Sequence, residues 1–281
     1  MRFFFVLICA SWLCAASGAI SVGPGGSGLL IFNTPPSPDE WSTLSVAGVA
    51  TDITNVAGLD AAVQLLAASN IISALPTSNA IPPGSGSLAA WNSTALYLQT
   101  HPTGNRFTVL MATLRNDTES EANLLTINYD LSQWSTGGIS ENIPGHRLYY
   151  NLSGSVSNWL PIVSVGGGTA GTLTGTVNVG SWPTSSLLYL LWVDDNGPGT
   201  GNTEGAYSID NVSFSATNEI VPVTISISAP TNNQAITAGR TFAINGNGSL
   251  SVTNVAFYAD GILLGSDGTL PFVILASNLT A

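Results

Sequence analysis

The sequence predicts an all-β protein made of two consecutive β-sandwiches and one short helix. Most segments alternate apolar and polar residues with a period of two, which is the pattern of a strand that buries one face. Glycine, asparagine, serine and proline separate these segments at short intervals, as expected for the turns of a sandwich. Hydrophobic residues make up 44% of the 281 residues and charged residues 7%. The chain therefore has enough apolar material for a core and is not a disordered acidic tail.

Residues 1–19 are predicted to be a secretory signal peptide. A short positive start precedes an apolar run from Phe3 to Ala16, and small residues follow that run. The run is too short to cross a bilayer of ~30 Å as a helix, and no later segment has about 18 uninterrupted apolar residues. Both cysteines, Cys9 and Cys14, lie in this segment. We expect a secreted, extracellular or cell-surface protein that has no disulfide and no membrane span after cleavage.

One short helix is predicted over residues 56–68. Leu59, Val63 and Leu66 recur there at helical spacing, and Asn55 is placed to cap the N-terminus. Proline-rich segments on either side of this region are incompatible with regular elements, so the helix is expected to be isolated.

Six segments predict the strands of the first sandwich, which we place at residues 20–216. Each segment is rich in β-branched or aromatic residues and is bounded by turn residues. One of them, Leu187–Val193, is apolar on both faces and is therefore expected to be a central strand. Many short strands with turn-rich gaps are typical of a jelly roll. The six segments are Arg106–Leu114, Leu124–Asp130, His146–Leu152, Thr172–Val179, Leu187–Val193 and Tyr207–Phe214.

A change of composition at residues 217–222 predicts a linker to a smaller domain at 223–281. Alternating segments continue after the linker, and Asp260-Gly261 predicts a tight hairpin turn. An immunoglobulin-like sandwich takes about 100 residues and seven strands, whereas about five strands follow the linker. We therefore expect a C-terminally truncated domain from a longer protein.

The tail, residues 223–281, resembles the bacterial Ig-like repeats of large secreted proteins and polysaccharide-degrading enzymes. The resemblance implies an Ig-like β-sandwich that acts as a spacer. It is carried by Ala229-Pro230, Ala238–Phe242, Val255–Tyr258, Asp260-Gly261 and Leu270–Phe272.

Residues 85–216 resemble a jelly-roll, carbohydrate-binding-like module found near the start of modular bacterial exported proteins. The resemblance implies a β-sandwich with an interaction role rather than a catalytic one. The matching motifs are Ile127-x-Tyr129, Leu148-x-Tyr150, Trp159-x-x-Ile162, Leu190-x-Trp192-x-Asp194-Asp195 and Ser208–Asn211.

The charge balance excludes nucleic acid as a partner. The formal net charge is −11, and the five cations of the chain are all arginine. A protein that binds nucleic acid needs a basic surface to neutralise phosphates. Anionic lipid surfaces also attract basic segments, so binding to such a surface is disfavoured.

Motifs for catalysis are weak, and we predict no enzyme in this chain. Gly166–Gly171 has the glycine spacing of a dinucleotide-binding loop, but the following segment reads as a strand rather than a helix. We therefore interpret it as a flexible loop. His101 and His146 are the two histidines that could serve as a triad base, and both are interpreted as surface residues.

One acidic, glycine-rich loop is a candidate calcium site, and calcium is the only cofactor that the sequence suggests. Calcium takes about six to eight oxygen ligands, and glycines allow main-chain carbonyls to turn inward. The alternative stays open that Asp and Asn side chains of a polar hairpin bond their own backbone. The candidate ligands are Asp194, Asp195, Asn196, Glu204 and Asp210.

Four aromatic residues of the first sandwich are candidates for stacking against sugar rings. The C–H groups of a sugar pack on an exposed aromatic face. Strand tryptophans more often belong to a core, and this alternative also stays open. The four residues are Trp134, Tyr150, Trp159 and Trp182.

Together these features predict a secreted, non-catalytic modular protein that uses its sandwich for interaction or adhesion and its Ig-like domain as a spacer. The alternative is a carbohydrate-binding accessory region of a larger extracellular polysaccharide-degrading enzyme. The expected partners are accordingly a polysaccharide or a cell-surface component.

Overall fold

The computed structural model describes residues 18–81, 88–134, 142–197, 205–218, 223–249 and 252–277. The chain divides into two compact units, residues 1–219 and 220–281. The predicted all-β fold class is confirmed, because strands dominate both units and the described residues contain one α-helix. Most of the predicted signal peptide lies outside the described residues.

The helix and strands are numbered here in chain order. No helix within the described ranges is long and apolar enough to cross a membrane. The elements are β1 (Ile20–Val22), β2 (Trp41–Val46), α1 (Val56–Val63), a 3₁₀ turn (Ala68–Asn70), β3 (Thr77–Ser78), β4 (Ala90–Asn92), β5 (Tyr97–Thr100), β6 (Phe107–Asn116), β7 (Ala122–Trp134), β8 (His146–Asn151), β9 (Leu160–Gly167), β10 (Gly171–Trp182), β11 (Leu187–Asp195), β12 (Ala206–Thr217), β13 (Ile225–Ala229), β14 (Phe242–Gly248), β15 (Val255–Ala259), β16 (Ile262–Asp267) and β17 (Phe272–Ala276).

Two six-stranded sheets form the larger unit. The first has the order β1-β6-β11-β8-β9, with β2 also paired to β6, and the second has the order β10-β7-β12-β5-β4-β3. The strand predicted to be central, β11, lies between β6 and β8, so that prediction is confirmed. Its inward residues Leu188, Leu190 and Trp192 join the core between the sheets. Leu191 and Val193, on its other face, belong to a second buried cluster.

Helix α1 covers the outer face of the first sheet. Leu59 and Val63, both fully buried, pack in the cluster that contains Val109 and Leu191. The helix begins as predicted, because the Oδ1 atom of Asn55 accepts a hydrogen bond from the amide of Gly58 at 2.9 Å. Burial of its apolar face, more than its own propensity, stabilises so short a helix.

The helix ends at Val63 rather than at Ala68, five residues earlier than predicted. The amide of Leu66 donates to the carbonyl of Val63 at 3.0 Å, an i to i−3 bond that tightens the chain out of the α-helix. The carbonyl of Leu66 accepts from Nε1 of Trp159 at 2.9 Å. Because Trp159 belongs to a distant part of the sequence, this end could not be predicted locally.

An ion pair fastens α1 to the first sheet. Arg147 on β8 donates from Nε to Oδ1 of Asp60 at 2.6 Å and from Nη2 to Oδ2 at 3.0 Å. The hydroxyl of Tyr149 donates to the same carboxylate at 2.7 Å. Burial by itself would raise the pKa of Asp60, but these hydrogen bonds outweigh burial and hold it below its usual value.

Three strands of the larger unit end in a buried asparagine that is followed two residues later by serine or threonine. Asn92, Asn116 and Asn151 are the last residues of β4, β6 and β8, and each is at most 1% exposed. The Oδ1 atom accepts an amide of the following turn, as from Thr118 at 2.9 Å and from Ser153 at 2.9 Å. These asparagines therefore close the turns that follow their strands.

The glycine-rich segment at 166–171 spans the end of β9 and the start of β10. A strand follows it, as predicted, so the helix that a dinucleotide-binding loop requires is missing at this point. A β-carbon at Gly145, where φ is +82°, would come within 1.9 Å of the carbonyl oxygen of Gly167. Only glycine allows the two backbones to approach so closely.

The smaller unit has a three-stranded sheet, β13-β14-β17, and a two-stranded sheet, β15-β16. Phe257 and Phe272 are central to its buried cluster. The predicted hairpin turn is confirmed, since Asp260 and Gly261 connect β15 to β16 with φ values of 49° and 81°.

Candidate ligand-binding face

The outer face of the second sheet carries a run of polar side chains across β10, β7 and β12. On β7, Leu125 and Ile127 lie in the core between the sheets, so the alternate residues point to the opposite side. We call this surface the polar face. Its residues are Thr126, Asn128, Asp130, Thr172, Thr174, Thr176, Asp210, Asn211 and Ser213.

Hydrogen bonds between neighbouring strands order the polar face. Strand β10 has a threonine at every second position, and each of these hydroxyls bonds to the residue directly opposite on β7. All three threonines are exposed, so the hydroxyls are fixed in orientation and still accessible. The pairs are Thr172 Oγ1 to Asp130 Oδ1 (2.5 Å), Thr174 Oγ1 to Asn128 Oδ1 (2.6 Å) and Thr176 Oγ1 with Thr126 Oγ1 (2.8 Å).

A β-bulge in β12 places two adjacent polar residues on this face. Asp210 pairs with Asp130 and Ser213 pairs with Asn128, so two residues of β12 stand against one of β7. Asn211 has a φ of 50°, in the left-handed region that asparagine adopts more readily than most residues. Its Nδ2 donates to Oδ2 of Asp130 at 2.8 Å.

Asp130 and Asp210 form a cross-strand pair of carboxylates in contrasting surroundings. Hydrogen bonds from Thr172 and Asn211 lower the pKa of Asp130. Burial raises the pKa of Asp210. A hydrogen bond from the backbone amide of Asn211 lowers this pKa in part, and the negative charge of Asp130 raises it further. Oδ1 of Asp210 is buried and has no hydrogen-bond partner. The pKa values of the two carboxyl groups are therefore shifted in opposite directions.

The arginines described in the larger unit are each paired with a different aspartate. The chain has no lysine, so these arginines are the cations that could have neutralised Asp130 and Asp210 within the described part of this unit. The pairs are Arg106 with Asp52 (3.5 Å), Arg115 with Asp117 (2.9 Å) and Arg147 with Asp60 (2.6 Å).

An aromatic pair lies at one end of the polar face. The rings of Tyr97 on β5 and Trp134 on β7 stack with centroids 6.0 Å apart and an interplanar angle of 22°. Trp134 is half-buried, and its Nε1 donates to Oγ of Ser208 at 2.9 Å. Leu98 pairs with Ile209, and Tyr97 and Asp210 are the next residues along β5 and β12 from that pair. Tyr97 is 8% exposed and its hydroxyl has no hydrogen-bond partner.

Of the four predicted stacking residues, the structure leaves Trp134 accessible and buries the other three. Trp159 and Trp182 are 0% exposed and Tyr150 is 8% exposed. Their polar atoms bond within the protein, since Trp182 Nε1 donates to the carbonyl of Ser186 at 3.1 Å and the Tyr150 hydroxyl to that of Asn178 at 3.2 Å. The prediction that these three residues stack on sugars is therefore wrong, because their rings are buried and no ring face is open to a ligand.

The predicted calcium ligands fall on both sheets. Asp194 and Asp195, each 1% exposed, end β11 in the first sheet, whereas Asp210 is on β12 in the second. Asn196 donates from its amide to the carbonyl of Arg106 at 3.1 Å. Glu204 lies outside the described residues. Within the described ranges, no three His, Cys, Asp or Glu side chains are grouped to hold a metal ion, and the calcium site stays a prediction.

Both histidines are buried, contrary to the surface positions expected from the sequence. His146 is 1% exposed and His101 5% exposed. Nε2 of His146 lies 2.8 Å from Oγ1 of Thr100 on the opposite sheet, and burial lowers the pKa of His146 to about 3. His146 starts a strand facing inward, and the adjacent Arg147 faces outward to α1, which explains the error.

The sequence analysis missed Tyr97, Asp130 and the threonines of β10 as parts of a candidate site. The alternation of threonine at 172, 174 and 176 was visible, and it indicates a polar strand face. Which strand lies opposite was not visible, because the register of β7 with β10 and β12 depends on contacts distant in sequence.

Comparison with known families finds one match, which lies in the smaller unit. A family model described as "Bacterial Ig domain" matches residues 224–279. This agrees with the resemblance inferred for the tail. No relative was found among the curated proteins.

One similar solved structure is titled "Crystal structure of Agl-KA catalytic domain". The similarity covers 76% of this chain and 30% of that one, with 11% sequence identity and a TM-score of 0.28. The chain thus spans less than a third of that structure, and a similarity of this size gives no basis for assigning function.

Proposed function

We propose that the chain is an extracellular, non-catalytic, modular interaction protein in which the larger sandwich contacts a ligand and the Ig-like unit acts as a spacer. The match of residues 224–279 to a bacterial Ig domain supports the modular part, because such domains are common in extracellular and surface proteins. The signal peptide predicted at residues 1–19 supports export.

The polar face is the observation that carries the proposal. Its hydroxyl, amide and carboxylate groups are held in place by hydrogen bonds across the strands, as between Thr174 and Asn128. A surface that is ordered before binding loses less side-chain entropy when a ligand docks. Exposed Thr172, Thr174 and Thr176 give it a regular spacing along β10, which suits a ligand that repeats.

A second candidate function, carbohydrate binding as an accessory region of a larger polysaccharide-degrading enzyme, is favoured by the aromatic pair. Trp134 offers part of its ring beside the polar face. A sugar presents an apolar face for stacking and hydroxyls that both donate and accept hydrogen bonds. An aromatic ring next to ordered hydroxyls and carboxylates matches both needs.

Retention on insoluble polysaccharides tests the proposal. The full mature chain is incubated with cellulose, chitin, starch granules and bacterial cell walls, and the bound fraction is measured. The double variant Asn128→Ala/Thr174→Ala should lose retention on whichever material binds the wild type. The matched variant Thr51→Ala/Asn70→Ala changes the same residue types at exposed positions outside the polar face and should bind like the wild type.

Two results would contradict the proposal. Equal retention of both double variants would show that the polar face does not make the contact. Hydrolysis of a polysaccharide by the purified chain, detected as new reducing ends, would show that the protein is catalytic.

A further inference from the structure

The carboxylate pair of the polar face lacks a positive partner. Asp130 and Asp210 are directly opposite on neighbouring strands, an arrangement that is destabilising for like charges. Each arginine in the described part of the larger unit is paired with another aspartate, and the chain has no lysine. Both aspartates are half-buried as whole residues, so each keeps some contact with solvent.

One oxygen of the carboxylate pair and one nearby hydroxyl have unused hydrogen-bonding capacity. Oδ1 of Asp210 and the hydroxyl of Tyr97 are buried without a partner, and the two residues are the next ones along β12 and β5 after the Ile209–Leu98 pair. Native structures leave few buried polar atoms unsatisfied. The cluster therefore lacks a group that donates several hydrogen bonds and carries positive charge.

The backbone is shaped around the same cluster. Asp210 lies opposite Asp130, and at the bulge that follows it Asn211, with its positive φ, directs its side-chain amide to Asp130. Bulges and unusual backbone angles of this kind occur often beside functional sites. The rings of Tyr97 and Trp134 stack on each other, with Trp134 four residues along β7 from Asp130, and aromatic faces attract cations as well as sugar rings.

We infer that this site binds a glycan that carries free amino groups, with an ammonium between Asp130 and Asp210 and a sugar ring against Trp134. A primary ammonium has three donors and no acceptor, which suits two adjacent carboxylates. The threonine hydroxyls of β10 continue from this point along the strand and contact the following sugars. The inference rests on the proposed function, because it uses the same face for the same general class of ligand.

A metal ion fits these observations less well than an ammonium. Within the described residues no group of three or more His, Cys, Asp and Glu side chains could hold a metal.

Soluble oligomers of glucosamine and of N-acetylglucosamine separate the amino group from the rest of the sugar. Binding of each to the full mature chain is measured by calorimetry at neutral to slightly acidic pH, where the free amines are largely protonated. We expect the glucosamine oligomer to bind about tenfold or more tightly than the acetylated one, as for a gained charge-assisted hydrogen bond. Added salt should weaken that preference.

Three variants assign the preference to the site. Asp210→Asn keeps the side-chain shape and should reduce glucosamine-oligomer affinity about tenfold, while leaving the acetylated oligomer unaffected. Asp130→Asn serves as a second variant should Asp210→Asn not fold, as checked by thermal unfolding. The matched control Asp39→Asn removes one charge from an exposed aspartate outside the polar face and should retain the preference.

The outcomes separate this inference from the proposed function. Equal affinity for the two oligomers, or equal effects of Asp210→Asn and Asp39→Asn, would overturn the inference. If in that case Asn128→Ala/Thr174→Ala still abolished retention on a polysaccharide, the proposed function would stand. Absence of any binding to the oligomers and to the insoluble materials would overturn both.

Discussion

Replacement of Asn116 by alanine should destabilise the larger unit by about 3 kcal/mol. Asn116 is 0% exposed and ends β6. Its Nδ2 donates to the carbonyls of Trp182 at 2.7 Å and Ser120 at 3.0 Å, and its Oδ1 accepts from the amide and hydroxyl of Thr118 at 2.9 and 2.7 Å. The side chain thus joins β6 to the end of β10 and to the turn before β7.

The magnitude follows from what each group loses. The Trp182 carbonyl loses a fully buried bond, which costs about 1–3 kcal/mol when the group stays unsatisfied, and the part-buried bonds contribute about 0.5–1.5 kcal/mol each. The Thr118 hydroxyl retains its bond to the Ser120 carbonyl at 2.9 Å, which reduces the loss. For a unit of this size about 3 kcal/mol lowers the melting temperature by roughly 6–12 °C.

Urea unfolding followed by tryptophan fluorescence measures this loss, with Asn70→Ala at an exposed position as the control. The control should change the free energy of unfolding by less than about 0.5 kcal/mol. A loss below about 1 kcal/mol for Asn116→Ala would refute the reasoning, since that is the value of one ordinary hydrogen bond.

Four further results are expected. The pKa of Asp60 is lowered in the fold, so its pairing with Arg147 stabilises the protein above the unfolded pKa and is lost as pH falls through the folded value. Urea unfolding between pH 6 and pH 2 should therefore show a smaller pH dependence for Asp60→Asn than for wild type. The pKa of Asp210 is raised, so Asp210→Asn should unfold at higher urea than wild type at pH 7; the difference should shrink as pH falls through the folded pKa and vanish below the unfolded pKa, and lower stability of the variant at pH 7 would contradict the unfavourable burial of Asp210 and its pairing with Asp130. Trp159→Ala should cost about 3–5 kcal/mol in the same assay because its ring is fully buried, and a loss below about 1 kcal/mol would contradict that burial. Millimolar calcium should raise the melting temperature of the mature chain through the predicted ligands Asp194, Asp195, Asn196, Glu204 and Asp210, and an unchanged melting temperature would contradict that site.

The fold was predictable where apolar residues recur with the regular spacing of a strand or a helix. Leu187–Val193 reads as a central strand because both of its faces are apolar, and the structure buries both, under the second sheet and under α1. The Asp260-Gly261 turn was predictable because few residue pairs accept two consecutive positive φ angles. The position at which α1 ends was not, because the chain just after the helix bonds to Trp159, which is distant in the sequence.

The candidate site was less predictable than the fold. Trp134 and Trp159 look alike in the sequence, and only the three-dimensional arrangement shows that one borders the polar face and the other supports a helix. Asp130 and Asp210 become a pair through the register of β7 and β12, which a one-residue shift would abolish. Sequence alternation identifies the faces of a strand, but it does not identify the neighbour.

The polar face combines features that stabilise the protein with one that does not. The threonine ladder of β10 satisfies its hydrogen bonds within the sheet. The facing carboxylates of Asp130 and Asp210 gain nothing from each other, and an arginine or lysine at either position would have formed a favourable cross-strand pair. In most of a protein, each residue suits both its local structure and the overall fold, and residues that do not are concentrated at functional sites. An uncompensated charge pair beside ordered donors and an aromatic ring is therefore better explained by an external cationic ligand than by folding.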